Sequence, residues 1–315
     1  MNCHCTVISS IKTALPEGEE EQTVPRYIFK FVHFLLIAIL LAACDQPDQN
    51  RPVEGQITGT VAYHESVEGE GLHARDLVVW LPPGYDADTG QRYPVLYMHD
   101  GQNIFDPATS YAGVDWAIDE SVDRLIREGT IEPMIVVGIY NSKDRTPEYS
   151  PGEKGTAYME FVINVVKPLI DTTYRTRPER QHTLVGGSSS GGTISFMLAW
   201  DHPEVFAGAI CISPAFKVGP GVDFTEFDFI DYFAATRETP RDVFFYIDNG
   251  GIELDGILQP GIKEMLVSLE QWGYREGTDW VFIHDPTAKH FESAWAKRFP
   301  YALVRTLKGV AAEDL

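Results

Sequence analysis

Apolar and polar positions fall into blocks of two kinds along most of the chain. The runs "RDLVVWLPP", "PVLYMHD", "PMIVVGI", "HTLVGG", "GAICIS" and "VFFYID" have the β-branched and aromatic content of strands. Most are apolar at consecutive positions, as expected of strands covered on both faces. Between them, "DWAIDESVDRLIREG" and "YMEFVINVVKPLIDTTY" repeat their apolar residues at helical period. Strand then helix, repeated, predicts an α/β domain whose crossover helices cover a mostly parallel sheet. Folding is expected to begin near Ile57, with "ITGTVAYHE", and to end in a helix over "FESAWAKRFPYALVRTLKG", kinked at Pro300. No internal repeat or second domain is visible, and 315 residues suit one large α/β domain behind an N-terminal extension.

The N-terminal pattern is different. In "RYIFKFVHFLLIAILLAACDQ", Arg26 and Lys30 precede an apolar run, Phe31 to Leu41, that ends in small residues and a cysteine. That is the layout of a secretory signal, and the run is short for a bilayer span. "LAAC", Leu41 to Cys44, resembles a bacterial lipobox, which implies lipid on Cys44. The expected organisation is an extension and lipoprotein signal peptide over 1–43, a polar tether over 44–56 and a catalytic domain over 57–315. An uncleaved anchor is the alternative. Either way the domain is expected to be exported and held at a bacterial membrane, facing the periplasm or the exterior. The acidic "EGEEE" ahead of the basic residues is out of place in a signal peptide, which predicts a translation start further on, near Val24.

Composition narrows the function classes. The chain is 44% hydrophobic and 23% charged, values of an ordinary globular protein. Its net charge of -21 disfavours nucleic acid as a partner, since polyanion binding needs clustered cations. Beyond residues 1–44 only Cys211 remains, and it cannot pair within the chain. No His/Cys cluster has metal-ligand spacing and no nucleotide-binding glycine pattern occurs, so neither metal nor cofactor is expected.

The chemistry centres on "LVGGSSSGGTISF". A Gly/Ser run alone reads as a linker. Here it sits between a strand pattern and a helix pattern, and Gly187 to Gly191 fits G-x-S-x-G, the sharp turn that exposes a nucleophilic serine. The register makes Ser189 the nucleophile, with the backbone N–H of Ser190 as an oxyanion donor. A serine needs a histidine base oriented by an acid, both downstream in this architecture. His202 follows the serine too closely; His284 is a second choice; His290, in a loop before the last helix, is the expected base. The loop after "VFFYID" offers Asp248, Glu253 and Asp255, and composition does not choose among them. "YPVLYMHDGQNIFD" supplies an early strand and loop in which the backbone N–H of Gln102 is the expected second oxyanion donor.

Together "LPPGYD", "YPVLYMHDGQNIFD", "IVVGIYNSKDRTPEYSP", "GGSSSGG", "HPEVFAG", "DNGGIELD" and "HFESAW", in this order, resemble the Putative esterase branch of the α/β-hydrolases, which includes enterochelin-esterase-like, esterase D-like and feruloyl-esterase-like enzymes. The resemblance runs from about Arg75 to about Arg305. It implies Ser189 as nucleophile and His290 as base. Its D-x-G-x-x-[ED] pattern falls on Asp248, Gly250 and Glu253, which implies Glu253 as the acid, with Asp255 in reserve. The element Arg145, Glu148 and Tyr149 is similar to a structural segment beside the family's cleft. The implied function is hydrolysis of a siderophore, carbohydrate or small acyl ester through an acyl-enzyme. The alternatives are acyl transfer on the same fold and a ligand-binding lipoprotein without turnover.

Overall fold

The structure, a computed structural model, describes residues 57–220, 226–236 and 241–312. The expected signal segment, Cys44 and the tether 44–56 lie outside the described residues. Two antiparallel strands, β1 (Thr60–Val67) and β2 (Arg75–Leu81), open the fold. Next come β3 (Val95–His99), helix α1 (Ile118–Arg127), β4 (Ile135–Ile139), a one-turn helix α2 (Arg145–Glu148), α3 (Glu153–Phe161) and α4 (Lys167–Thr173). The segment around Ser189 is β5 (Thr183–Ser188) followed by α5 (Ser190–Asp201), and then β6 (Gly208–Ile212). A two-residue ladder of β7 (Lys217–Val218) with β8 (Phe227–Asp228) and a short α6 (Ile230–Thr236) precede β9 (Phe244–Ile252), α7 (Leu254–Gln271), β10 (Trp280–Lys289) and α8 (Glu292–Ala312).

Eight strands form one sheet in the order β1-β2-β4-β3-β5-β6-β9-β10. Only the β1–β2 and β2–β4 pairs are antiparallel; every pair from β4 to β10 is parallel. This is the mostly parallel, helix-flanked sheet that the alternation of patterns predicts. The consecutive apolar residues explain the layering, because alternate side chains enter opposite cores. Along β2, Leu77 and Val79 belong to the core that α3, α4, α5 and α7 cover, whereas Val78 and Trp80 belong to the core on the α1 and α8 side. Leu96 and Met98 of β3 part from Val95 and Tyr97 in the same way.

Two prolines act differently from one another. The predicted helix over "YMEFVINVVKPLIDTTY" widens into a π-turn at Val162–Val166. Pro168, which has no N–H to give back to the preceding turn, follows one residue later. Pro300 instead lies within α8, which continues on both sides of it. Among the described residues no helix is long and apolar enough to cross a membrane.

One buried ion pair fixes the antiparallel edge. Arg75 at the start of β2 grips Glu148 with both terminal nitrogens at 2.9 Å, and Ser142 Oγ adds a third bond to the same carboxylate. Tyr158 and Phe161 lie against the guanidinium. Removing one member leaves the other as an uncompensated buried charge. Arg75→Ala is therefore expected to destabilise the domain by about 3–5 kcal/mol, read as a clearly lowered thermal midpoint. A midpoint within a degree of the parent would show that the pair contributes nothing.

Candidate active site

The turn between β5 and α5 holds Ser189 at φ 55 and ψ -127, a backbone geometry that an L-residue adopts only under constraint. The constraint is visible. Ser189 N–H bonds Ile212 O at 3.0 Å, and Ser189 O accepts from Ala215 N at 3.2 Å and Thr193 N at 3.1 Å. A Cβ at Gly187 would lie 2.8 Å from the Gly191 carbonyl, so the turn closes only with glycine there. Behind it, α5 is buried from Gly191 to Trp200, with Phe196 stacked on Phe245 at 4.1 Å. The serine thus rests on a rigid helix and not on a mobile linker.

His290 follows β10 and precedes α8. Its Nδ1 lies 2.7 Å from Asp255 Oδ1, and its ring stands edge-on to Trp295 at 4.9 Å. Asp255 is fully buried, and its Oδ2 accepts the Gly250 N–H at 3.0 Å. With Nδ1 held by Asp255, Nε2 is the nitrogen left for the cleft that His290 shares with Ser189.

The acid expected from the resemblance is corrected here: Asp255, the reserve, meets His290, and Glu253 does not. Glu253 stands at φ 59 and ψ -125 at the entry to α7, and its Oε1 pairs with Lys289 Nζ at 2.7 Å with both side chains mostly exposed. The left-handed turn sends its side chain to solvent. Two residues on, in the first turn of α7, Asp255 faces inward. Asp248 is committed elsewhere, to Arg298 at 3.0 Å and to the Ser213 N–H at 3.1 Å. Burial pushes the Asp248 carboxyl up to about 6 despite Arg298. His284 lies within β10 and contacts Gly250 O, and His202 pairs with Glu204 at the surface.

The cleft has a volume of about 420 Å³. Gln102 lines it together with Ser189, and Ser190 opens the helix that follows Ser189. Gln102 is firmly placed: its carbonyl accepts from Thr109 Oγ1 at 2.6 Å, and its Oε1 accepts the Asn141 N–H at 3.2 Å. At the neighbouring Gly101, a Cβ would come within 2.4 Å of the Gly138 backbone.

Sequence reasoning missed the polar floor. Asp100, at φ 58, is gripped by Arg145 through Nε and Nη2 at 2.7 and 2.8 Å and by Asn141 Nδ2 at 2.6 Å. Burial alone would raise the Asp100 carboxyl, but Arg145 and Asn141 outweigh it and hold it below the usual range. Beneath, His99 bonds the Tyr158 hydroxyl at 2.8 Å, and burial drives its pKa down to about 3, so the ring is neutral and structural. The only hint in the sequence was the Arg145, Glu148, Tyr149 element, whose partners lie far away along the chain. Trp295 and Glu292, also on the cleft wall, were quoted within "HFESAW" without a role. Among the described residues, Asp115, Asp119 and Glu120 form a group compact enough to hold a metal ion; none of them lines this cleft.

The chain is similar to known proteins in sequence and in fold. An uncharacterized protein of Bacillus subtilis (strain 168), YjcH, is 29% identical over 159 residues, covering 50% of this chain and 62% of that protein. An endo-1,4-beta-xylanase/feruloyl esterase of Xylanibacter ruminicola is 30% identical over 135 residues, 41% of this chain and 18% of that protein. The chain thus spans less than two thirds of the length of either relative. Among solved structures, a ferulic acid esterase superposes with a TM-score of 0.64 at 19% identity, covering 79% of this chain and 98% of the other, and so shares the α/β-hydrolase fold. The sequence matches the Putative esterase family over residues 73–306, most of the described domain, and the chain belongs to that family.

Proposed function

We propose that the protein hydrolyses carboxylic esters through an acyl-enzyme on Ser189. The observation that carries this reading is the convergence on one cleft of a constrained serine and of His290 backed by the buried Asp255. His290 Nε2 takes the proton from Ser189 Oγ as the oxygen attacks the ester carbonyl. Asp255 holds the tautomer with hydrogen on Nδ1 and stabilises the imidazolium that forms. The backbone N–H groups of Gln102 and Ser190 receive the negative charge developing on the carbonyl oxygen. Collapse expels the alcohol, which takes the proton from His290. A water molecule, deprotonated by the same nitrogen, then frees the acid and restores Ser189.

Support for an ester as substrate comes from the family and from the feruloyl esterase among the relatives. A cleft of about 420 Å³ suits a small acyl, carbohydrate or siderophore-type ester. Hydrolysis of p-nitrophenyl acetate and butyrate by the full chain tests the reading. Turnover well above the uncatalysed rate is expected, and folded protein with none would favour a ligand-binding role.

The N-terminal pattern supports a place for this chemistry. A lipid on Cys44, followed by the polar stretch 44–56, would tether the enzyme to a membrane outside the cytoplasm. Cys44→Ala is expected to move the protein from the membrane to the soluble fraction of the expressing bacterium. Unchanged fractionation would reject lipid anchoring at that residue.

A further inference from the structure

Glu292 has no part in the relay, yet it occupies the cleft wall. It begins α8 two residues after His290 and is 7% exposed. A first-turn glutamate is favoured by the positive end of a helix. That accounts for an acid at this position but not for its burial beside a nucleophile, because a charged group is costly to bury without a partner. The other charges of the cleft are already satisfied. Arg145 is spent on Asp100 through two bonds, and Asp255 on His290 and the Gly250 N–H. No described Lys, Arg or His forms an ion pair with Glu292. Burial raises its carboxyl above the ordinary glutamate range, opposed by its own backbone N–H and by the nearby His290. Among the described residues, Glu292 is therefore a carboxylate of the cleft wall that no ion pair engages.

Its position indicates which part of a substrate it meets. On the mechanism above, His290 delivers its proton to the departing alcohol oxygen, so a group beside His290 flanks the alcohol half of the ester. We propose that Glu292 determines the charge preference of this cleft, favouring esters whose alcohol bears a cationic amine or ammonium group and rejecting anionic alcohols. The inference rests on the esterase reading.

Acetate esters of choline, of its neutral isostere 3,3-dimethylbutanol and of the anionic 2-hydroxyethanesulfonate supply the test on the full chain. The readout is the ratio of kcat/KM between choline and sulfonate esters within each variant, so a general change in activity cancels. Wild type is expected to favour the cation roughly tenfold or more, since juxtaposed like charges are strongly disfavoured. Glu292→Gln should bring the ratio close to one, mostly through KM, and Glu292→Asp should retain most of it. Loss of activity in Glu292→Gln by the same factor on all three esters would overturn the proposal and mark Glu292 as acting through His290. A lowered thermal midpoint with the ratio retained would overturn it in favour of a helix-stabilising role. If wild type turns over none of the three esters nor p-nitrophenyl acetate, the esterase reading itself fails, a result distinct from turnover without charge preference.

Discussion

Ser189→Ala is expected to lower kcat by roughly 10³-fold or more while leaving the fold intact. Alanine removes only the hydroxyl, and the turn that holds residue 189 is made by backbone bonds to Ile212, Thr193 and Ala215. The thermal midpoint should therefore stay close to the parent's, which separates lost chemistry from lost structure. Ser188 and Ser190 are adjacent hydroxyls, but neither occupies the constrained position. Residual turnover in Ser189→Ala would come from oxyanion donors acting on bound ester and should be far slower. Near-normal turnover would reject the covalent mechanism.

The second large effect separates two carboxylates that lie two residues apart. Asp255→Asn is expected to reduce kcat by roughly 10³ to 10⁴-fold, because an amide at that position no longer holds His290 in the tautomer that accepts from serine. Glu253→Gln should change kcat by less than about threefold. Its carboxylate pairs with Lys289 in the open, and exposed pairs of this kind contribute ~0–1 kcal/mol. The contrast is the informative part. Equal losses in both variants would mean that the turn between β9 and α7 acts as a unit, and the reverse order would restore the assignment made from the D-x-G-x-x-[ED] pattern.

That assignment shows where sequence legibility ended. The constrained turn at Ser189 was readable because five consecutive residues mark it: two glycines flank the serine at the spacing of a sharp strand-to-helix turn. The α/β alternation was readable for a similar reason, as apolar runs and helical periods are local signals. The acid was not. Glu253 and Asp255 differ in which way a left-handed turn throws the side chain, and φ 59 at Glu253 is a property of the folded backbone that residue types do not announce. The cleft floor and the ion pair at the antiparallel edge were hidden by distance, since Asp100 and Arg145 meet across 45 residues and Arg75 and Glu148 across 73. Asp248 looked as eligible as its neighbours, but the structure commits it to Arg298, 50 residues away, and not to His290. The π-turn before Pro168 was equally unreadable from a period that continues across it.

The central claim is that Ser189 carries the acyl group, and its most direct test is to treat the full chain with a fluorophosphonate and locate the adduct by mass spectrometry. The account predicts a single adduct on Ser189, formed in step with loss of ester hydrolysis and absent from Ser189→Ala. Folded wild-type protein that forms no adduct, or that is inactivated by an adduct on any other residue, would contradict it.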